Sequence, residues 1–127
     1  MRVAVIGSRD FSDYELLKKT LSKFDISVIV SGGARGADSL AERYAEEFNI
    51  DLDVYPAEWD KYGKRAGFLR NQTIWDNSDM GIAFWDGKSS GTKHSFEIAE
   101  KQHKILVVIE YNTKEINIYN RPELDDW

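Results

Sequence analysis

The chain has 127 residues, with 17 Lys and Arg against 22 Asp and Glu, a net charge of −5, 42% apolar residues and no cysteine. The length fits one domain with a sizeable core. The composition excludes a wholly disordered chain, and the lack of cysteine excludes disulfides, thiolate catalysis and thiolate metal sites. No run of 18 apolar residues offers a membrane span, and the apolar stretch in the opening MRVAVIGSRD is too short for a secretory signal, so a cytoplasmic location with no membrane partner is expected. The acidic balance argues against bulk attraction to nucleic acid, which is not expected as a partner.

In chain order, Val3 to Ile6 is a short apolar run that stops at Gly7 and predicts a buried strand. Ser12 and Asp13 offer N-cap chemistry, and Leu16, Leu17, Thr20, Leu21 and Phe24 follow at helical spacing. Ile26 to Val30 predicts a second strand. Leu40, Ala41, Tyr44, Ala45 and Phe48 predict a helix beginning at Ala37. Ile50 to Tyr55 is a third strand, and the polar, glycine-punctuated stretch from Glu58 to Gly67 reads as a loop. Phe68 to Asn77 predicts a helix, Met80 to Trp85 a strand, Thr92 to His103 a helix and Ile105 to Ile109 a fifth strand. Ile116, Ile118 and Tyr119 suggest a short extra strand, and the last residues read as a tail. Strands alternating with helices imply an α/β, three-layer, doubly wound domain with a mainly parallel sheet of about five strands. One domain is expected over residues 1–119, with 120–127 as its tail.

In such a sheet, ligands bind beyond the carboxyl ends of the strands, near the point where strand order reverses. The segments to read are therefore Gly7 to Phe11, Ser31 to Asp38, Pro56 to Trp59 and Trp85 to Thr92, which hold six of the nine glycines. Gly32, Gly33 and Gly36 can form a tight turn whose N–H groups face an anion at the start of a helix. The same segment also reads as a plain strand-to-helix bend, since it is neither a Walker A loop nor GxGxxG. Ser89, Ser90, Gly91 and Thr92 form a second such loop, in which Thr92 can also cap the helix. Two glycine and hydroxyl loops on one sheet edge point to a phosphate-containing ligand.

Arg9, Arg35, Lys61, Lys64, Arg65, Arg70, Lys88 and Lys93, 8 of the 17 basic residues, lie in or beside these segments and can focus an anion there. Trp59, Tyr62, Phe84 and Trp85 can stack on a base or simply pack their loops. Asp38 can fix the turn before it by hydrogen bonds. Glu58, Asp86 and Glu97 are candidate acids or bases, and the sequence does not choose among them. His94 starts a helix near the second loop, and His103 lies near a helix end. Neither has metal-ligand spacing, so no metal is expected, and no cofactor either.

The motifs run in order as Gly7-Ser8-Arg9, GGARGAD over 32–38, PAEW over 56–59, YGKRAG over 62–67, FLRN over 68–71 and AFWDGKSSGT over 83–92. This order resembles the YspA-related branch of the SLOG superfamily over roughly residues 1–110. The resemblance implies a Rossmann-like fold that binds or senses a nucleotide or nucleotide-derived ligand. It implies ligand contacts from Gly7, Ser8, Arg9, Ser31, Gly32, Gly33, Arg35, Gly36, Asp38, Trp59, Lys64, Arg70, Asn71, Asp86, Ser89, Ser90, Gly91 and Thr92. Homo-oligomers are common among such relatives.

More distantly, the chain is similar to the LOG phosphoribohydrolases, which split nucleoside monophosphates with an arginine and the glutamate of PGGxGTxxE. That likeness implies an N-glycosidase alternative with Arg70 in the arginine's position. Ser95 stands where the glutamate is expected and Glu97 is displaced, leaving Glu58, Asp86 and Glu97 as the candidate catalytic carboxylates. The GSR motif, the glycine loop and Arg70-Asn71 are also similar to the single-stranded-DNA-binding DprA/Smf Rossmann domain, a further alternative.

Overall fold

A computed structural model describes residues 1–121. Its elements are β1 (Arg2–Gly7), α1 (Tyr14–Leu21), β2 (Val28–Ser31), α2 (Ala37–Glu47), β3 (Asp51–Val54), α3 (Trp59–Tyr62), α4 (Ala66–Asp76), β4 (Met80–Trp85), α5 (Ser90–Lys101), β5 (Leu106–Glu110) and β6 (Glu115–Tyr119). The six strands form one sheet in the order β3-β2-β1-β4-β5-β6, parallel throughout except for β6, which pairs antiparallel to β5. The fold is Rossmann-like, as expected, and the extra C-terminal strand is present. Of the tail expected at 120–127, residues 122–127 lie outside the described residues. Asn120 is tied back by a hydrogen bond from its side-chain amide to Lys104 O (3.0 Å).

Strand alternation builds the three layers. Val3 and Val5 face α1 and α2, where Leu17, Leu21, Ala41 and Tyr44 close one core. Ala4 and Ile6 face α4 and α5, where Ile74, Trp75, Ile98 and Ala99 close the other. Burying each large side chain of this set contributes roughly 1.5–3 kcal/mol. β1 and β4 run down the middle, buried on both faces, which explains their unbroken apolar runs.

Two expectations need correction. The stretch from Glu58 to Gly67 is helical: α3 is followed by a 3₁₀ turn at Gly63–Arg65 and then α4. Its helical pieces are four and three residues long, too short to show a helical period. α5 begins at Ser90, with Ser89 at its N-cap position and Thr92 buried inside the first turn, so Thr92 is not the cap.

Candidate functional site

The sheet order reverses direction between β1 and β4, and the segments following these strands and β2 converge there. A cavity of about 480 Å³ opens at this place. Its walls come from Gly7, Ser8, Arg9 and Asp10 after β1, from Ala34, Arg35 and Asp38 after β2, and from Ser89, Ser90, Gly91, Thr92 and Ser95 after β4. Trp59, Lys64, Gly67, Phe68, Arg70, Asn71 and Ile74 close the remaining side.

Three side chains hold these walls together. Ser8 is buried, its carbonyl accepts from Ala37 N–H (3.3 Å), and its hydroxyl accepts from Asp86 N–H (3.0 Å) and Ser89 Oγ (3.1 Å). Arg70 donates from Nη1 to Gly32 O (2.8 Å) and from Nε to Asn71 Oδ1 (3.1 Å). Asn71 in turn donates to Gly91 O (3.3 Å) and meets His94 Nδ1 (3.3 Å). The Arg70-Asn71 pair on α4 therefore pins one glycine loop with each residue. Gly32 is required for this, because a Cβ there would collide with Arg70 Nη1.

Charge is arranged as the sequence reading anticipated, though with fewer members. Arg9, Arg35, Lys64 and Arg70 line the cavity, whereas Lys61, Arg65, Lys88 and Lys93 are exposed outside it. Burial lowers the pKa of Arg70, the charge of Asp38 opposes that and Arg9 adds to it. The α2 and α5 N-termini also face the cavity, and neither carries a side-chain cap. The first N–H of α2, that of Ala37, is taken by Ser8 O, whereas the first N–H groups of α5 have no acceptor within the helix, which leaves those available to an anion.

The carboxylates divide differently from expectation. Glu58 and Glu97 are exposed and Asp86 is half-buried, and none of the three lines the cavity. Burial alone would raise the Asp86 pKa, but hydrogen bonds from Ser89 N–H and Lys88 N–H (both 2.8 Å), with the Ser89 and Ser8 hydroxyls, bring it below its ordinary value. Asp86 thus closes its own loop and is not poised as an acid. Asp38 is buried, lines the cavity and accepts from Ala34 N–H (3.1 Å), as its proposed turn-fixing role required. Burial pushes its pKa to about 6, while the Ala34 bond and Arg70 hold it down.

Ser31, Gly32, Gly33 and Gly36 shape the first loop from behind without lining the cavity. The Ser31 hydroxyl accepts from Gly33 N–H (3.3 Å). Of the aromatics, Trp59 lines the cavity and is 49% exposed, but Phe84 is fully buried against Phe11. Trp85 packs on Phe96 and donates to Ser89 O (3.1 Å), and Tyr62 is exposed elsewhere. Phe68 was missed: it is 56% exposed on the cavity wall, edge-on to His94. The available signal was an aromatic residue set between Lys64-Arg65 and Arg70. Ser95 was seen as a departure from a glutamate, and it is buried on the cavity wall.

Comparison with known proteins adds to this geometry. Residues 1–62 match the YspA, cpYpsA-related SLOG family. The gene 61 protein of Mycobacterium phage D29 is 38% identical over 111 residues, covering 79% of this chain and 89% of the relative. The chain belongs to the YspA-related SLOG family. This SLOG domain is also similar in structure to DNA processing protein A from Helicobacter pylori, with a TM-score of 0.61 and 26% identity over 85% of the chain. It spans 64% of that protein's length. The work on that neighbour describes a single-stranded DNA binding mode.

The likeness overturns the expectation that nucleic acid is no partner of this SLOG domain. That expectation used net charge, a sum over the whole surface, whereas binding responds to the local field. Four cations against Asp10 and Asp38 make the cavity lining basic within an acidic chain. Among the described residues, no helix is long and apolar enough to cross a membrane, and no three His, Cys, Asp or Glu side chains gather as a metal site.

Proposed function

We propose that this protein binds a nucleotide unit through its phosphate in the cavity at the carboxyl edge of the sheet. The observation that carries the reading is the convergence of Arg9, Arg35, Arg70 and the uncapped N-terminus of α5 on one cavity. In this reading the three arginines clamp phosphate oxygens, the N–H groups at the start of α5 cradle them, and Trp59 and Phe68 offer faces to the base. The form of the unit favoured by the structural neighbour is a stretch of single-stranded DNA; the second form is a free nucleotide-derived ligand, which a cavity of about 480 Å³ can hold. An N-glycosidase reading has less support, because the carboxylates proposed for it lie off the cavity and Ser95 stands at the glutamate position.

The test is binding of a labelled thymidine oligonucleotide and of a nucleotide panel by wild type and by Arg70→Ala and Arg70→Lys. Losing a charge-assisted phosphate contact of about 1.5–3 kcal/mol should weaken binding by Arg70→Ala roughly ten- to a hundredfold. A folded Arg70→Ala protein that binds as wild type does would overturn the reading. Affinity that falls steeply with salt would identify the strand form, and binding confined to single nucleotides the other.

A further inference from the structure

The cavity carries one feature that phosphate binding alone does not call for: a buried carboxylate beside its principal arginine. Asp38 is 7% exposed, lines the cavity and turns toward Gly32, where a Cβ would lie 3.0 Å from its Oδ2 and in collision with Arg70 Nη1. The two charged groups therefore flank the same glycine without forming an ion pair. Asp38 fixes the turn through Ala34 N–H, and an asparagine could accept that bond without a charge, whereas the carboxylate also removes part of the arginine's field from the ligand.

We propose that Asp38 is a specificity-determining residue that fits the cavity to a phosphate bearing one negative charge, a phosphodiester, and against the dianion of a terminal phosphate. The inference rests on the nucleotide reading of the cavity and names its substrate class. A diester keeps a single charge at all ordinary pH values. A monoester takes a second charge with a pKa near 6 and carries about −1.5 to −2 at pH 7. Each added charge meets the repulsion of Asp38 in a partly desolvated site, where it is screened less than at the surface.

The charged groups around Asp38 fit this role. Arg70 on α4 attracts it, Glu42 one turn along α2 repels it, and Arg9 after β1 acts on Arg70 rather than on Asp38. Asp10 also lines the cavity but is exposed, so water screens it. The raised pKa of Asp38, about 6, leaves it ionised at pH 7.5 and largely protonated at pH 5.

The experiment compares two probes that differ by one charge: each deoxynucleoside 5′-monophosphate and its methyl phosphodiester. Calorimetry would measure wild type, Asp38→Asn and Asp38→Ala at pH 7.5, with thermal melts to confirm folding; the Asn variant keeps an acceptor for Ala34 N–H. In wild type the basic lining attracts both probes, and Asp38 should penalise the monophosphate more than the methyl ester. Removing the carboxylate should tighten the monophosphate about tenfold and the methyl ester about threefold, as one extra charge at this range implies. At pH 5 wild type and Asp38→Asn should bind each probe alike, because wild type is then neutral at this position too. An unchanged ratio of the two dissociation constants in both variants at pH 7.5 would overturn the inference while leaving nucleotide binding intact. Wild type that binds neither probe would overturn the nucleotide reading and this inference together.

Discussion

The two glycine loops look alike in sequence but are stabilised in different ways. The loop after β2 is drawn tight by groups outside it: Arg70 holds Gly32 O, and Asp38 reaches back from α2 to Ala34 N–H. The loop after β4 adds an internal clasp, with Asp86 accepting from Lys88 and Ser89, to the outside bonds it makes with Ser8 and Asn71. Each loop carries one aspartate, and their pKa values move in opposite directions. Asp38 is buried with one strong backbone donor and rises to about 6, whereas Asp86 gathers several donors and falls below its ordinary value. The number of donors per carboxylate, set against burial, decides the sign. Both aspartates hold their loops, but the donor-poor one on the cavity wall keeps charge that a ligand can feel.

The largest effect should come from the glycine that packs the first loop against its neighbour. Gly36 sits at φ 78°, and a Cβ there would come within 2.6 Å of Arg9 O and closer still to Ser8 O. Both contacts are backbone and cannot yield without moving the loop after β1. Gly36→Ala should cost about 3–5 kcal/mol, by strain at a left-handed position and displacement of packed backbone, read as a lower urea midpoint. A cost below about 1 kcal/mol would mean that the loop is looser than this packing implies.

This contrast shows what the sequence could and could not reveal. The strands were legible because β1 and β4 are buried on both faces and so run unbroken in Val, Ile, Ala and Phe. The cavity's place was legible from topology, since every unusual segment follows a strand. The roles within it were less so. Asp38 and Asp86 both stand in glycine loops, and only the fold shows that one faces the cavity and the other its own loop. α3 was missed because four residues give no period, and Phe68, though placed on the next helix, was not seen to face the cavity. The partner expectation failed because net charge averages over a whole surface and misses four basic residues that line one cavity.

A pH titration would sharpen the comparison of the two aspartates. An unfolded Asp titrates near 3.9, below the folded value of about 6 for Asp38. Between those values the folded state holds the proton more tightly, so the contribution of Asp38 to stability is fully present below about pH 4 and is lost as pH rises through 6. Two pKa units correspond to about 3 kcal/mol. Urea unfolding of wild type and Asp38→Asn at pH 4, 5, 6 and 7 isolates this, because the opposite slopes from Asp86, Glu47 and Asp53 cancel in the difference. The Asn variant should gain on wild type by up to about 3 kcal/mol between pH 4 and 7. A flat difference would remove Asp38 as a titrating group.

The smallest effect on stability tests the second loop most directly. Gly91 lies in the first turn of α5 and lines the cavity, and a Cβ there meets no atom within 4 Å. Gly91→Ala should therefore stabilise the free protein by about 0.5 kcal/mol, since alanine restricts the unfolded chain and suits a helix. Asp13→Ala is the matched control at α1, where the Asp13 side chain caps Leu16 N–H (3.1 Å) away from the cavity. It should lose about 1 kcal/mol and leave ligand binding untouched. If the start of α5 cradles a phosphate, the added methyl of Gly91→Ala meets only the ligand, and binding weakens although the protein has become more stable. Stability and affinity then move in opposite directions, which no general loosening of the fold can produce. Unchanged affinity in a stabilised Gly91→Ala protein would mean that this loop merely caps a helix, and would leave the loop after β2 to hold the phosphate alone.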